Sequence, residues 1–186
     1  MSSPEHTPYA GPAATRPVRA REAPGLPWPL QPLAPTGDLP DINVWLALAV
    51  QEHPHHTAAR RYWDDAQARP SLAAGAPYLW FCRITMLGLT RLLCQPKAVG
   101  PGALQLDAAW TLYQQYRSLP QIGLVSEPLD CDTQLGALLA NQTLPARLWT
   151  DAYLAALARS SGLRLVTFDR DFERFGLDRI LILPRP

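Results

Sequence analysis

Lysine is almost missing from this 186-residue chain: Lys97 is the only one, and arginine supplies the rest of the basic side chains. Arginine forks onto phosphate better than lysine does, but codon bias in the source genome is the simpler explanation. Charge of one sign is equally scarce. Lys+Arg of 17 against Asp+Glu of 16 leaves a net charge of +1. Nothing in that total suggests a polyanion-coating protein, and a local basic patch still has room, so net charge neither supports nor excludes RNA. Cysteine is limited to Cys82, Cys94 and Cys131, an odd number without C-x-x-C spacing. A disulfide framework is thereby excluded, and a reducing compartment is the expectation. No run approaches the roughly 18 apolar residues of a membrane span, and the N-terminus has no apolar leader core. The expectation is a soluble, cytoplasmic protein with no membrane association. Internal repeats are also absent.

What is present is enough apolar material, 47% of residues, to build one core in one domain. Half of the 20 prolines fall in the first forty residues, among Ala, Gly, Ser and Arg, with Tyr9 and Trp28 the only aromatics. Such a segment cannot bury enough surface to offset its ordering entropy. Residues 1–37 are expected to form a disordered or loosely draped extension; an overlong start assignment and a docking peptide of polyproline type are the other readings. The folded domain is expected over residues 38–186.

Within it the apolar spacing predicts helices over 44–50 and 56–68, broken at Pro54, and over 84–94, 103–118, 132–140 and 146–160. Leu106, Ala109, Trp110 and Tyr113 fall on one face of the fourth of these. Short apolar strands are predicted at 78–82, 122–126, 163–168 and 179–183, with a brief helix around Phe172. Helices alternating with fully apolar strands imply an α/β fold, a doubly wound parallel sheet flanked by helices. In such sheets ligands gather beyond the carboxyl ends of the strands.

Three acids fall where that rule directs attention. Asp169 directly follows the strand 163–168, as a ligand-binding carboxylate or as a cap of the next turn. Asp151 lies among the apolar residues of the predicted helix 146–160. A carboxylate buried there needs a partner or a metal, whereas one in the first turn is favoured by the helix dipole alone. Asp41 opens the apolar run that begins at Ile42 and by itself reads as an N-cap. If the three converge, a hard cation such as Mg²⁺ or Mn²⁺ relieves their repulsion and supports hydrolysis of a phosphodiester.

The same residues carry a resemblance to PIN-domain ribonucleases, and within them to VapC-type toxins. Leu39-Pro40-Asp41-Ile42-Asn43-Val44 resembles the family's opening D-x-N segment. His53-Pro54-His55-His56, followed by Ala59 and Trp63, is similar to the H-x-x-H-x-x-A-x-x-W stretch of one toxin subgroup. Phe81-Cys82-Arg83-Ile84-Thr85, with Gly88, Leu89, Arg91 and Leu92, resembles that subgroup's third segment. Leu148-Trp149-Thr150-Asp151-Ala152-Tyr153 and Leu165-Val166-Thr167-Phe168-Asp169-Arg170-Asp171-Phe172 resemble the last two motifs. The resemblance runs from Leu39 to the C-terminus.

It implies a metal-dependent endoribonuclease, the toxin of a type II toxin-antitoxin pair, with Asp41, Asp151 and Asp169 as catalytic acids holding Mg²⁺ or Mn²⁺. Asn43 and Thr167 would support them by hydrogen bonds, and Asp171 would assist or face solvent. Arg83 and Arg91 are the basic residues to watch, as phosphate contacts, as partners for the acids, or as stems packed on a helix with their heads in solvent. The implied partners are an RNA substrate, a small antitoxin protein and a second copy in a homodimer. Two departures stand out: Gly88 occupies a position where many members carry a glutamate, and Gly37 and Pro40 make a poor central strand. The three histidines are expected to mark a helix start. Trp45, Trp63, Trp80, Trp110 and Trp149 are expected in the core.

Two alternatives follow. Asp169-Arg170-Asp171 after a strand resembles the nucleophile motif of haloacid-dehalogenase-like phosphatases, but only fifteen residues follow Asp171 and the sole lysine lies upstream. The other is a silent PIN-fold interaction module, in which Gly88 has removed too much of the metal site.

Overall fold

The computed structural model describes residues 37–68, 76–140 and 143–185. Apart from Gly37, the expected Pro-rich extension lies outside these residues. Five strands form one sheet: β1 (Asp38–Pro40), β2 (Leu79–Phe81), β3 (Ile122–Leu124), β4 (Arg164–Thr167) and β5 (Ile180–Ile182). All pairings are parallel, in the order β3-β2-β1-β4-β5. The helices are α1 (Ile42–Ala49), α2 (His56–Gln67), α3 (Arg83–Leu93), α4 (Pro96–Val99), α5 (Leu106–Arg117), α6 (Cys131–Ala140) and α7 (Trp149–Ser161). Short 3-10 turns occupy Gly100–Gly102, Ala146–Leu148 and Arg170–Phe175. None of the described helices is long and apolar enough to cross a membrane.

The chain builds outward from β1 through β2 to β3, then returns to the other side of β1 with β4 and β5. That reversal puts successive crossovers on opposite faces, because each parallel crossover keeps the same hand. Side chains alternate accordingly. Leu79, Phe81 and Val166 enter one core with α1, α2, α3 and α5, whereas Leu39 and Leu165 enter a second core under α7. Trp45 of α1 stacks on Phe81 at 3.8 Å between ring centroids, which seats α1 on β2.

β1 is a central strand despite Gly37 and Pro40. At Gly37, φ is +117° and an added Cβ would lie 2.1 Å from the Tyr78 carbonyl oxygen, so only glycine admits β1 beside β2. Pro40 costs little, because strand residues direct their backbone groups alternately to either side. Asp38 N–H donates towards β2, to Tyr78, and Asp41 N–H donates towards β4, to Val166. The donor that Pro40 lacks therefore faces β2, where the pairing is already over: β1 pairs with β2 only at Asp38, but with β4 at three positions. At the amino end of the sheet the buried Asp38 accepts two bonds from Arg164 at 2.8 Å and one from Tyr62 at 2.9 Å.

Two expectations need correction. Trp45 and Trp63 are buried, but Trp110 and Trp149 are 46% and 62% exposed. On α5 the buried stripe is Ala109 and Tyr113, and Leu106 and Trp110 form the flanking stripe about 100° round. Sequence periodicity locates an apolar face without saying how much of it the sheet covers. Arg91 lies in the last turn of α3, and α3 starts at the carboxyl end of β2. Eight residues of helix carry Arg91 about 12 Å away from that end, so it does not belong with Arg83.

Candidate active site

The switch in strand order falls between β1 and β4, and an acid follows the carboxyl end of each strand within two residues. Asp41 follows β1 and caps α1: its Oδ1 accepts from Ile42 N–H at 2.6 Å. Its other oxygen accepts from the Thr167 hydroxyl at 2.9 Å. Asp41 is thus the N-cap read from sequence and also a buried acid at the switch point, 6% exposed. Asp169 lies two residues beyond Thr167 and caps the 3-10 turn, with Oδ1 accepting from Asp171 N–H at 2.9 Å. Asp151 arrives from the opposite face. The 3-10 turn Ala146–Leu148 delays α7 until Trp149, so Asp151 stands in the first turn and not in the helix interior. The helix dipole favours its charge there, while its half-buried setting opposes it.

The charges of Asp151 and Asp169 reach Asp41, and that of Asp169 reaches Asp151. Burial, first, and then the charges of Asp151 and Asp169 push the Asp41 carboxyl up to about 7, against the lowering effect of its bonds from Thr167 and Ile42. Asp151 is also raised, by burial first and then by Asp169 and Asp171, with Arg147 pulling the other way. Among the described residues, neither Asp41 nor Asp151 has a cation in hydrogen-bonding contact.

Thr167 is the hub. Its fully buried hydroxyl donates to Asp41, and it accepts from Asn43 Nδ2 at 3.1 Å and from Asp169 N–H at 3.0 Å. One donor and both acceptor positions are all used. Asn43 completes the tie by accepting from Phe168 N–H at 3.3 Å. The strand ends, the cap of α1 and Asp169 are thereby held as one unit.

Asp171 has a different place. Arg147 donates to one of its oxygens at 2.7 Å and Arg174 to the other at 2.9 Å, which holds its carboxyl below the usual range. It anchors arginines on the rim of the acidic floor. Arg185 joins them, with Nε on the Phe168 carbonyl at 3.0 Å and a guanidinium nitrogen 3.9 Å from Asp169. Sequence reasoning missed all three of these arginines. Arg174 could have been found as an i,i+3 partner of Asp171; Arg147 and Arg185 carry no local signal. Arg83 is exposed at the start of α3, at the end of β2. Glu127, just beyond β3, accepts from the Tyr153 hydroxyl and is not among the charges acting on Asp41 or Asp151. The histidines mark a helix start: His53 Nδ1 accepts from His55 N–H at 3.1 Å, His56 Nδ1 lies 2.8 Å from the Ala47 carbonyl, and α2 begins at His56. The His55 ring stacks on Phe168 at 4.5 Å, behind the end of β4.

The donor set is all carboxylate oxygen, which suits a hard cation. Among the described residues no group of three His, Cys, Asp or Glu side chains stands together as a ready direct cage. The fit is to an ion such as Mg²⁺, which keeps several waters and needs only one or two carboxylates.

Gly88 explains what fills the place of the missing glutamate. A Cβ there would lie 2.5 Å from Ile42 Cδ1 and 2.8 Å from its Cγ1, and Ile42 adjoins Asp41. The glycine lets α1 and α3 close up, and the Ile42 side chain takes the space. Gly88→Glu alone should therefore cost about 1–3 kcal/mol from overpacking. Combined with Ile42→Ala, the total loss should fall short of the sum of the two single losses by about 1 kcal/mol. Urea melts of all four proteins measure this coupling, and simple additivity would mean that Ile42 does not compete with a side chain at position 88.

The PIN domain family model matches residues 39–177. Ribonuclease VapC41 of Mycobacterium tuberculosis is 37% identical over 140 residues, covering 73% of this chain and 91% of that protein. Ribonuclease VapC37 of the same organism is 30% identical, covering 73% and 89%. Among solved structures, M. tuberculosis VapC20, described as a Sarcin-Ricin loop cleaving toxin, superposes with a TM-score of 0.54 at 18% identity, covering 80% of this chain and all of that one. VapBC2 from Rickettsia felis, bound to a DNA fragment from its promoter, superposes at 0.55 with 12% identity, covering 79% and 98%.

Proposed function

Because this chain belongs to the PIN-domain family, and within it to the VapC ribonucleases, we propose that it cuts RNA where β1 and β4 end, with a partly hydrated Mg²⁺ or Mn²⁺ held among Asp41, Asp151 and Asp169, by one or two of them directly and by the rest through its waters. The protein is an endoribonuclease, the toxin component of a toxin-antitoxin system. The observation that carries the site assignment is placement: Asp41 and Asp169 stand just beyond β1 and β4 at the switch point, the first turn of α7 brings Asp151 close enough for its charge to act on Asp41, and no basic side chain is bonded to Asp41 or Asp151 among the described residues.

A divalent ion held among Asp41, Asp151 and Asp169 would supply Lewis-acid chemistry, a lowered pKa for water and positive charge opposite the phosphodiester. The chain's own residues supply position and charge. Thr167 and the Ile42 N–H point both oxygens of Asp41, so its geometry is set before any ligand arrives. The Asp171 N–H and the Thr167 hydroxyl, which accepts from the Asp169 backbone, fix Asp169 in the same way. Arg147, Arg174 and Arg185 on the rim meet the phosphates flanking the cut, because a guanidinium forks onto phosphate oxygens.

The partners follow the same reading. A small antitoxin would cover the acidic floor, an arginine of its own spanning the carboxylates in place of metal. A second copy would complete a homodimer. The three free cysteines suit work in a reducing cytoplasm.

A silent interaction module is the competing reading, favoured by Ile42 occupying the space beside Gly88. Cleavage of total cellular RNA by the purified protein decides between them. Expected is cleavage with Mg²⁺ or Mn²⁺, none with EDTA, and none by folded Asp151→Asn, which keeps shape and loses charge. A folded protein that binds its antitoxin but never cuts RNA would establish the module. Full cleavage by Asp151→Asn would remove Asp151 from the site.

A further inference from the structure

The sheet edge that carries Asp41 and Asp169 continues through β2 to β3, where a cavity of about 370 Å³ opens. Its walls include Trp110, Tyr113, Gln114 and Arg117 of α5, Arg83 at the start of α3, and Leu124 at the end of β3. No acid lines it. Trp110 is 46% exposed, its ring 5.2 Å from that of Tyr113 and tilted by 38°. Arg117 is pinned by one bond, to the Ile122 carbonyl at 2.6 Å, leaving the rest of its five donors for a ligand. Arg83 is exposed and has no bonded partner among the described residues.

Two guanidinium groups without an acid between them call for an anion. An exposed indole calls for a planar group, and the Gln114 amide offers both a donor and an acceptor to its edge. A nucleotide satisfies all three demands at once. Position agrees. Neighbouring strands lie about 4.8 Å apart, so the end of β3 is about 10 Å from the end of β1, with Arg83 between them at the end of β2. An apolar protein face closing over this cavity would strand two unpaired guanidinium groups away from water, which is costly; a phosphate would not.

We propose that this cavity is a subsite for an unpaired nucleotide of the RNA, its base stacked on Trp110 and its phosphate between Arg83 and Arg117. The subsite rests on the ribonuclease reading and adds to it a place that positions the strand away from the acids.

The test is affinity for a short single-stranded RNA, read by fluorescence anisotropy in EDTA so that no cleavage intervenes, at several salt concentrations, with molar mass from light scattering. Trp110→Ala should weaken binding about tenfold, and Trp110→Phe much less, because the ring is what stacks. Arg83→Gln should weaken binding and reduce the slope of log affinity against log salt by roughly 0.7, one phosphate contact fewer. Unchanged affinity and slope in folded Arg83→Gln overturns the proposal. So does unchanged affinity per folded protomer in Trp110→Ala, and a halved mass in that case identifies the face as one that joins two copies. If Trp110→Ala fails to fold, Trp110→Phe and Arg83→Gln decide. Loss of affinity in these variants, with no metal-dependent cleavage by the parent protein, would keep the subsite and remove the nuclease reading; cleavage with unaltered affinities would do the reverse.

Discussion

Asp41→Asn should melt higher than the parent protein in metal-free buffer at pH 7.5 and should cut no RNA. The parent holds a nearly buried carboxyl whose pKa stands at about 7 against an ordinary 3.8. At about 1.4 kcal/mol per pKa unit, the ceiling on what ionised Asp41 costs the folded state is about 4 kcal/mol. The sign follows from linkage. As pH rises from about 4 to about 7 the unfolded chain gives up this proton while the folded chain keeps it, so stability falls through that window and stays low above it. Asparagine removes the charge but also removes one acceptor, and Asp41 accepts from both Ile42 and Thr167. One of those bonds is lost, leaving a net gain of about 1–2 kcal/mol, or about 3–6 °C in melting temperature. The gain should disappear near pH 4, where the parent carboxyl is also uncharged. Millimolar Mn²⁺ should raise the parent and not the variant, since an ion that binds only the folded state stabilises it. A variant that melts at or below the parent at pH 7.5 would mean that this carboxylate carries no net burial cost.

Thr167→Val should do the opposite to stability while also disabling the site. Valine keeps the shape of threonine, so no cavity opens; what disappears is a hydroxyl with three partners. An oxygen of Asp41, the Asn43 amide and the Asp169 N–H are all left short. With each stranded buried group costing about 1–3 kcal/mol, a loss of about 3 kcal/mol is expected. Asp41 loses the bond that most lowers its carboxyl, so its pKa rises further. Cleavage should drop by about 10- to 100-fold, the usual cost of removing a group that orients a metal-binding carboxylate. Urea denaturation read with the cleavage assay checks both, and Thr167→Ser should recover most of each because it keeps the hydroxyl. Wild-type behaviour of the valine variant would show that strand geometry alone orients the acids.

The missing acid at Gly88 and the poor β1 strand show how far local chemistry goes. From sequence, Gly88 is an empty position; in the fold it is the contact that lets Ile42 fill the space beside Asp41. Gly37 and Pro40 violate strand preferences, yet one is required by the approach of Tyr78 and the other faces a side where the ladder has ended. Neither reason exists until β2 is in place.

Helix and strand positions were legible because burial imposes a period: β4, with Leu165 and Val166 buried at its centre and Asp169 two residues past its end, could be placed to within one residue, as could α2 and α3. The alternation of those elements was enough for a parallel doubly wound sheet, and Asp41, Asp151 and Asp169 could be named because their motifs stand in order along the chain. What only the tertiary structure decided is how each charge is spent. Asp171 and Asp169 are two residues apart, yet one grips Arg147 and Arg174 while the other turns to the acidic floor. Trp45 and Trp110 both lie in apolar helices, yet one is sealed against Phe81 and the other opens on a cavity. A sequence period reports which side of an element is apolar; pairing and exposure depend on side chains brought together from distant parts of the chain, and those distances come only from the packed sheet.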